Sequence, residues 1–343
     1  MRGIAAVIVV LHHAGKTPIG GPALFPNGFL AVDFFFLLSG FVISRAYEPR
    51  FQDGLRTATF MLHRFRRLLP IMWIGILLGA VTSTLLSIVR PGELLTLFAA
   101  QMLFIPVLAG SRSIFVLNGV QWSLYFEFAA NIAHAALLRR FNLASLCLLA
   151  AGAWAAFAGS AFYFGSVGIG DTGQSYLAGF PRVLATYITG VAIYRIHQSG
   201  QLPKVRSPAW MALLALPVLF WLAGTARPHA ELSVDLTTIA IFPIVLIIGL
   251  SVRLSGISAH AATIMGALSY PLYAIHLPIQ YGVRAALVFF HITPSSWTFG
   301  FTLVVTLALS WCLARFFEPG ARVRKAGRSS DRNLLVPARG HSA

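Results

Sequence analysis

The sequence predicts an all-α, polytopic transmembrane helical bundle of about ten spans, with both termini in the cytoplasm. Of its 343 residues, 57% are hydrophobic and only 10% are charged, a composition that excludes a soluble domain. Apolar runs recur from one end of the chain to the other, and a bilayer core of about 30 Å needs roughly 20 apolar helical residues per crossing. The basic residues lie between these runs, as in proteins that pass a lipid bilayer many times.

Ten apolar runs have the length and the flanking residues of membrane spans. In chain order they lie near 3–16, 28–46, 68–89, 120–138, 143–164, 177–196, 208–226, 234–252, 267–290 and 297–316. One more run, 93–109, is ambiguous, because a full crossing there would invert every later loop. We expect it to be re-entrant, which membranes tolerate where protein buries the segment.

The net charge of +16 does not indicate nucleic-acid binding, since that requires basic residues gathered on a soluble face. With 93–109 re-entrant, 20 of the 26 Lys and Arg residues fall on one side of the membrane. Cytoplasmic loops carry the excess of Lys and Arg, so the asymmetry predicts a multi-pass protein of the inner membrane. Residues 319–343 are rich in Arg, Gly and Ser and predict a disordered basic cytoplasmic tail, which leaves 1–318 as the membrane domain.

Two other sequence patterns, one typical of a secretory signal and one of a disulfide, are weak here. Residues 1–11 resemble the start of a secretory signal, but the run continues into His12 and His13, which are costly in lipid unless they have a use. Cys147 and Cys312 fall inside apolar runs, so a structural disulfide is not expected. The sequence has neither metal-ligand spacing nor a glycine-rich phosphate loop, and we expect no metal.

Three ionisable residues from three spans share one depth. His13 lies about 16 Å along the first span, and Asp33 and Glu127 lie about 18 Å from the cytoplasmic ends of the second and fourth spans. On the ninth span, His276 lies about 13 Å from the cytoplasmic end, with Tyr273 and Ser269 on the same helical stripe. Ionisable groups at such depth are functional candidates by default.

A histidine held by a carboxylate in a partly dry cavity is the arrangement that general-base chemistry needs. We therefore expect His13 to be the base and Asp33 or Glu127 to orient it. The alternative is that the polar groups are structural pairs that tie helices together. That alternative is favoured for the remaining deep polar residues, which are His12, His134 and Arg284.

Arg64 and Arg67 lie three residues apart at the cytoplasmic mouth of the third span. Two guanidinium groups at this spacing suit the phosphates of a cytosolic ligand. Arginines are also common topology anchors in inner loops, and the spacing by itself does not separate the two interpretations.

Five short motifs stand in order along the chain. They are Arg2 followed after ten residues by His13, residues 32–36 with 38–41, residues 64–70, residues 122–127, and residues 269–273 with His276 and Pro278. Together these motifs resemble the acyltransferase-3 family of membrane proteins. The resemblance implies ten membrane helices, an acyltransferase domain over 1–318, and acyl-CoA, above all acetyl-CoA, as the cytoplasmic donor.

The resemblance also implies transfer to a hydroxyl of an exported or membrane-linked glycan, or of a small molecule such as a macrolide. It further implies that His13 is catalytic and that Arg64 and Arg67 engage the coenzyme. Six more residues are candidates to line the cavity or contact substrate: Arg2, Ser39, Trp122, Ser269, Tyr273 and His276. Two rival functions are a proton-coupled secondary transporter, whose inverted repeats are not found in the sequence, and a scaffold whose polar layer is structural.

Overall fold

The computed structural model describes residues 1–202, 207–225 and 230–317. These residues form helices joined by loops and short 3₁₀ turns, and their one pairing of extended chain is an isolated bridge between Ser113 and Thr172. The all-α prediction is therefore confirmed for this part of the chain. The helices are α1 (Arg2–Lys16), α2 (Ala31–Gln52), α3 (Thr57–Leu85), α4 (Pro91–Met102), α5 (Gln121–Ala136), α6 (Leu143–Phe164), α7 (Gly179–Gln198), α8 (Ala209–Gly224), α9 (Glu231–Ser251), α10 (Gly256–Phe289) and α11 (Ser296–Phe317). Lys204, Arg206 and the predicted tail 319–343 lie outside the described residues.

Six helical segments in the described part of the chain are long and apolar enough to cross a membrane by themselves. They are Gly28–Gln52, Thr57–Leu85, Leu143–Phe164, Tyr176–Gln198, Glu231–Ser251 and Ser296–Phe317. Helices α1 and α5, with 15 and 16 residues, rise only about 22–24 Å each. The chain is thus a multi-pass membrane protein, and its short helices α1 and α5 are largely buried and carry several of the predicted site residues.

Several helices extend beyond the apolar runs from which they were predicted. Helix α3 begins at Thr57 and not at 68, so Arg64 and Arg67 lie within its second and third turns. Helix α10 has 34 residues and begins at Gly256, while α2 continues to Gln52. Hydropathy marks only the part of a helix that meets lipid, whereas Arg, Leu and Met between 61 and 69 favour continued helix.

The ambiguous segment 93–109 contains a short helix and not a full span. Helix α4 has 12 residues and rises about 18 Å, well short of a hydrocarbon core of about 30 Å. The helices on either side of it, α3 and α5, run antiparallel, because Arg64 meets Glu127 near one end and Gly79 meets Leu117 near the other.

Helices α1 and α10 run parallel and in register, which decides what the first helix can contact. Gly3 packs against Met265, and Thr17 donates a hydrogen bond to Gln280. The offset between the paired residues is nearly constant, so the residues of α1 that face α10 meet partners in the same order along that helix.

Helices α2 and α7 approach closely because both carry glycine where they cross. A Cβ atom at Gly40 would collide with the carbonyl oxygen of Tyr187, and one at Gly190 would collide with the carbonyl oxygen of Leu37. Small residues at helix crossings allow this backbone approach in membrane bundles. The contact brings the polar residues of α2 within reach of α7.

Candidate active site

A narrow cavity lies between the start of α1 and helices α2, α3, α5 and α10; its volume is about 60 Å³, and about 690 Å³ of empty space is present when the part open to solvent is counted. It holds seven of the residues that the sequence singled out: Arg2, Ser39, Arg64, Arg67, Glu127, Ser269 and Tyr273. The rest of its wall is mainly apolar and aromatic, and includes Phe35, Phe36, Val42 and Tyr270. Largely apolar walls with a few convergent polar groups are typical of small-molecule sites.

Glu127 is fixed in the wall of this cavity by two donors. Its Oε1 accepts a hydrogen bond of 2.7 Å from Nη2 of Arg64 and one of 2.8 Å from Oγ of Ser39. The side chains of Arg64 and Glu127 are 7% and 19% exposed, so most of the charge of Arg64 is compensated inside the protein. The two arginines of the predicted pair therefore differ, since Arg67 is exposed while Arg64 is buried.

Tyr273 lies between the cavity and His276, which is one turn farther along α10. It lines the cavity, and its hydroxyl lies 2.6 Å from the hydroxyl of Ser123 on α5. Its ring packs edge-on against Phe35, with centroids 5.7 Å apart, and lies 6.0 Å from the ring of His276. A ligand that extends from the arginines toward the histidines would pass this ring.

His13 and His276 form a direct pair beyond Tyr273. Nδ1 of His13 lies 3.1 Å from Nε2 of His276, and the ring centroids are 5.0 Å apart. His276 is fully buried, whereas His13 is half-buried and keeps part of its surface open. The neighbouring His12 is buried and points elsewhere, with Nδ1 2.8 Å from the carbonyl oxygen of Phe25.

Among the described residues, the ion-pair partners of Asp33 and Glu127 are arginines and not His13, which corrects the expectation that Asp33 or Glu127 orients it. Both carboxylate oxygens of Asp33 accept hydrogen bonds from Arg182 on α7, at 2.9 and 2.8 Å. Arg182 also donates to the carbonyl oxygen of Ile169 at 3.0 Å. Asp33 and Arg182 are both fully buried, so these contacts match the alternative in which deep polar groups tie helices together.

Trp122 belongs to the Asp33–Arg182 pair and not to the cavity wall. The guanidinium group of Arg182 lies over its ring, 5.1 Å from the centroid, and the ring of Phe36 packs edge-on against it, with centroids 6.4 Å apart. This cation–π contact compensates part of the charge of a buried arginine.

Arg182 is the residue that sequence reasoning missed. It lies inside the predicted span 177–196, and the rule that made Asp33 and His13 candidates applies equally to it. It was missed because the sequence analysis treated basic residues as markers of the cytoplasmic loops. A second missed residue is Glu48, which lies two residues beyond the predicted end of the second span.

Glu48 joins α2 to α5 and α7 in a separate buried charge cluster. Its carboxylate lies 3.1 Å from Nη2 of Arg195 and 3.8 Å from Nε2 of His134. His134 is fully buried and also packs edge-on against Tyr187. These contacts agree with the interpretation of His134 as a packing residue.

Pro278 removes one backbone hydrogen bond from α10 near His276. Proline lacks the N–H that would bond the carbonyl oxygen four residues earlier, which belongs to Ala274. Asn118, in the loop before α5, donates to that oxygen at 2.9 Å. The side chain of Asn118 therefore stabilises the turn of α10 that carries His276.

Across the described ranges, no group of three or more His, Cys, Asp or Glu side chains could hold a metal ion.

Comparison with known proteins links this geometry to one family. The family model described as an acyltransferase domain matches residues 1–315. Protein 2 in the picA locus of Rhizobium radiobacter is 32% identical over 152 residues, which are 39% of this chain and 78% of that protein. No solved structure matches the chain significantly.

Two longer relatives carry the name of O-acetyltransferases. One, from Staphylococcus aureus, is 33% identical over 88 residues, which are 25% of this chain and 13% of the relative. Peptidoglycan O-acetyltransferase OatA of Listeria monocytogenes is 29% identical over 85 residues, or 24% of this chain and 13% of OatA. The matched segments thus span a small part of these two proteins.

Proposed function

The chain belongs to the acyltransferase-3 family, and on this premise we propose that it transfers an acetyl or related acyl group from cytoplasmic acyl-CoA to a hydroxyl of an exported or membrane-linked glycan. It is an acyltransferase and a multi-pass membrane protein. The names of its O-acetyltransferase relatives, one of which acts on peptidoglycan by name, support acetyl as the group and a glycan as the acceptor. The observation that carries the proposal is a cavity with arginines at one end and a histidine pair beyond the other.

The donor binds in the cavity between α2, α3, α5 and α10. Arg67 and Arg2 line its mouth, and guanidinium groups recognise phosphates by charge-assisted hydrogen bonds. Glu127 holds Arg64 in the wall and compensates most of its charge, so Arg67 and Arg2 carry the main attraction for the phosphates. The apolar and aromatic wall toward Tyr273 suits the pantetheine arm and the acyl chain of the thioester.

His13 acts as the general base just beyond this cavity, on the far side of Tyr273. Its free ring nitrogen takes the proton of the acceptor hydroxyl while the hydroxyl oxygen bonds to the thioester carbon. The carbon–sulfur bond then breaks, which leaves the acyl group on the acceptor as an ester. The coenzyme leaves as a thiolate and takes the proton from His13. The half-buried position of His13 supports this role, because the base must reach a substrate.

A labelled-donor assay tests the proposal directly. Purified protein in vesicles receives acetyl-CoA labelled in the acetyl group, together with a membrane glycan fraction or a small hydroxyl acceptor such as a macrolide. We expect label in the glycan fraction and release of free CoA in equal amount. Label in the small acceptor alone would replace the glycan by that class, and no transfer to either would refute the proposed reaction.

Arg67→Ala should raise the KM for acyl-CoA about tenfold or more, because a hydrogen bond between charged groups contributes about 1.5–3 kcal/mol. Arg66→Ala is the matched control, since Arg66 is an exposed neighbour on α3 outside the cavity wall. Steady-state kinetics at varied acyl-CoA measure both variants. Equal shifts in the two variants would reduce Arg67 to a topology anchor.

We further propose that the protein crosses the inner membrane ten times, with both termini in the cytoplasm. Helix α4 packs against α3 and does not add a crossing. The charge asymmetry supports this arrangement, and the antiparallel α3 and α5 fit an α4 that does not add a crossing. A reporter active only outside the cytoplasm should give no signal at Gly54 or at Ser329, the latter outside the described residues, and strong signal at Leu24. Signal at Gly54 or Ser329 would refute the ten-span topology.

A further inference from the structure

The hydrogen-bond partners of His276 fix which of its nitrogens carries a proton. Nδ1 lies 2.9 Å from the carbonyl oxygen of Tyr273 and 3.1 Å from that of Leu272. Carbonyl oxygens only accept hydrogen bonds, so Nδ1 of His276 is the donor. In the neutral ring, the other nitrogen, Nε2, then carries a lone pair.

The same reasoning fixes the tautomer of His13. Its Nδ1 faces two acceptors, the carbonyl oxygen of Val9 at 3.0 Å and the lone pair on Nε2 of His276 at 3.1 Å. Nδ1 of His13 therefore carries the proton. Its Nε2, on the opposite side of the ring, is left as the basic nitrogen.

We propose that His276 is a positioning residue that holds His13 in the Nδ1–H tautomer, so that Nε2 of His13 serves as the base. This inference rests on the proposed function. When Nε2 takes the proton of the acceptor hydroxyl, the ring of His13 becomes positive, and its Nδ1–H bond to His276 strengthens. When Nε2 passes that proton to the departing thiolate, both rings return to their starting state, so the pair neither gains nor loses a proton over the reaction.

His276 thus does for His13 what a carboxylate does in a catalytic triad. The two candidate carboxylates are engaged elsewhere, because Asp33 binds Arg182 and Glu127 binds Arg64. Within the described residues, the side-chain hydrogen-bond partner of His13 is His276. A neutral acceptor at this place also avoids burying another charge, which is expensive inside a bilayer.

Gln and Leu at position 276 separate positioning from packing. Gln can present an acceptor oxygen near the place of Nε2, whereas Leu fills the space without an acceptor. We expect His276→Leu to lower kcat about 10²-fold with little change in the KM for acyl-CoA. The kcat of His276→Gln should be at least tenfold higher than that of His276→Leu.

The matched control is Gln280→Leu. Gln280 lies one turn farther along α10, is fully buried, and donates to the carbonyl oxygen of Val10 at 3.1 Å. It therefore ties α1 to α10 as His276 does, but without touching His13. Gln280→Leu should lower thermal stability while kcat stays within about threefold of the wild type. A change of that size is far smaller than the rate enhancement that a general base contributes.

A double variant distinguishes failure of this inference from failure of the proposed function. If His276 acts through His13, His13→Ala with His276→Leu is no slower than His13→Ala alone. Additive losses, or no rescue by Gln, would overturn the positioning role while leaving His13 as the base. Full activity of His13→Ala would instead overturn the proposed function on which the inference rests.

Discussion

Replacement of His13 by Ala is expected to lower acyl transfer by 10²–10⁴-fold, the usual contribution of a general base. The variant should still insert in the membrane and bind acyl-CoA, because the cavity that includes Arg2, Arg67 and Tyr273 does not include His13 in its wall. Turnover of labelled acetyl-CoA and equilibrium binding of a non-transferable CoA analogue measure the two properties separately.

His12→Ala is the matched control for this experiment. Successive residues differ by about 100° around a helix, and the two rings point apart, with His12 bonded to Phe25 and His13 to His276. His12→Ala should keep most of the activity and lose some thermal stability. A loss below about tenfold in His13→Ala would contradict its role as general base, and the reverse pattern would assign that role to His12.

Breaking the buried pair of Asp33 and Arg182 is expected to destabilise the protein by about 3–5 kcal/mol. Asp33→Asn removes the carboxylate that bonds Arg182 twice and leaves its guanidinium group buried beside the carbonyl oxygen of Ile169 and the ring of Trp122, with the more distant carboxylate of Asp171 as the remaining opposite charge. The large effect follows because an uncompensated buried charge costs more than the pair itself contributes. Chemical unfolding in mixed micelles measures the free energy of unfolding.

Two further variants make this prediction specific. Asp33→Asn combined with Arg182→Gln should lose less stability than the sum of the two single changes, because the residues act as one unit. Glu93→Gln is the exposed control, since Glu93 and Arg112 are 43% and 54% exposed and lie 3.7 Å apart. Its effect should stay within about 1 kcal/mol. If Asp33→Asn unfolds like the wild type, the pair does not tie α2 to α7.

The sequence was sufficient to predict the helical membrane fold and seven residues of the cavity wall, including all three of its arginines. Arg64, Glu127, Ser269 and Tyr273 were recognised from local information, because hydropathy and helical periodicity are properties of neighbouring residues. The depth of each residue along its span follows from the fixed rise of the helix. That depth correctly put His13 and His276 within reach of each other.

Which side chains contact each other was decided by the tertiary structure. Depth is a coordinate along the helix axis, whereas a contact also depends on how each helix is rotated and which helix lies beside it. For this reason, the sequence could not tell that Asp33 faces Arg182 across the close α2–α7 crossing, or that Glu127 meets Arg64. The parallel register of α1 and α10 brought His276, and not a carboxylate, to His13.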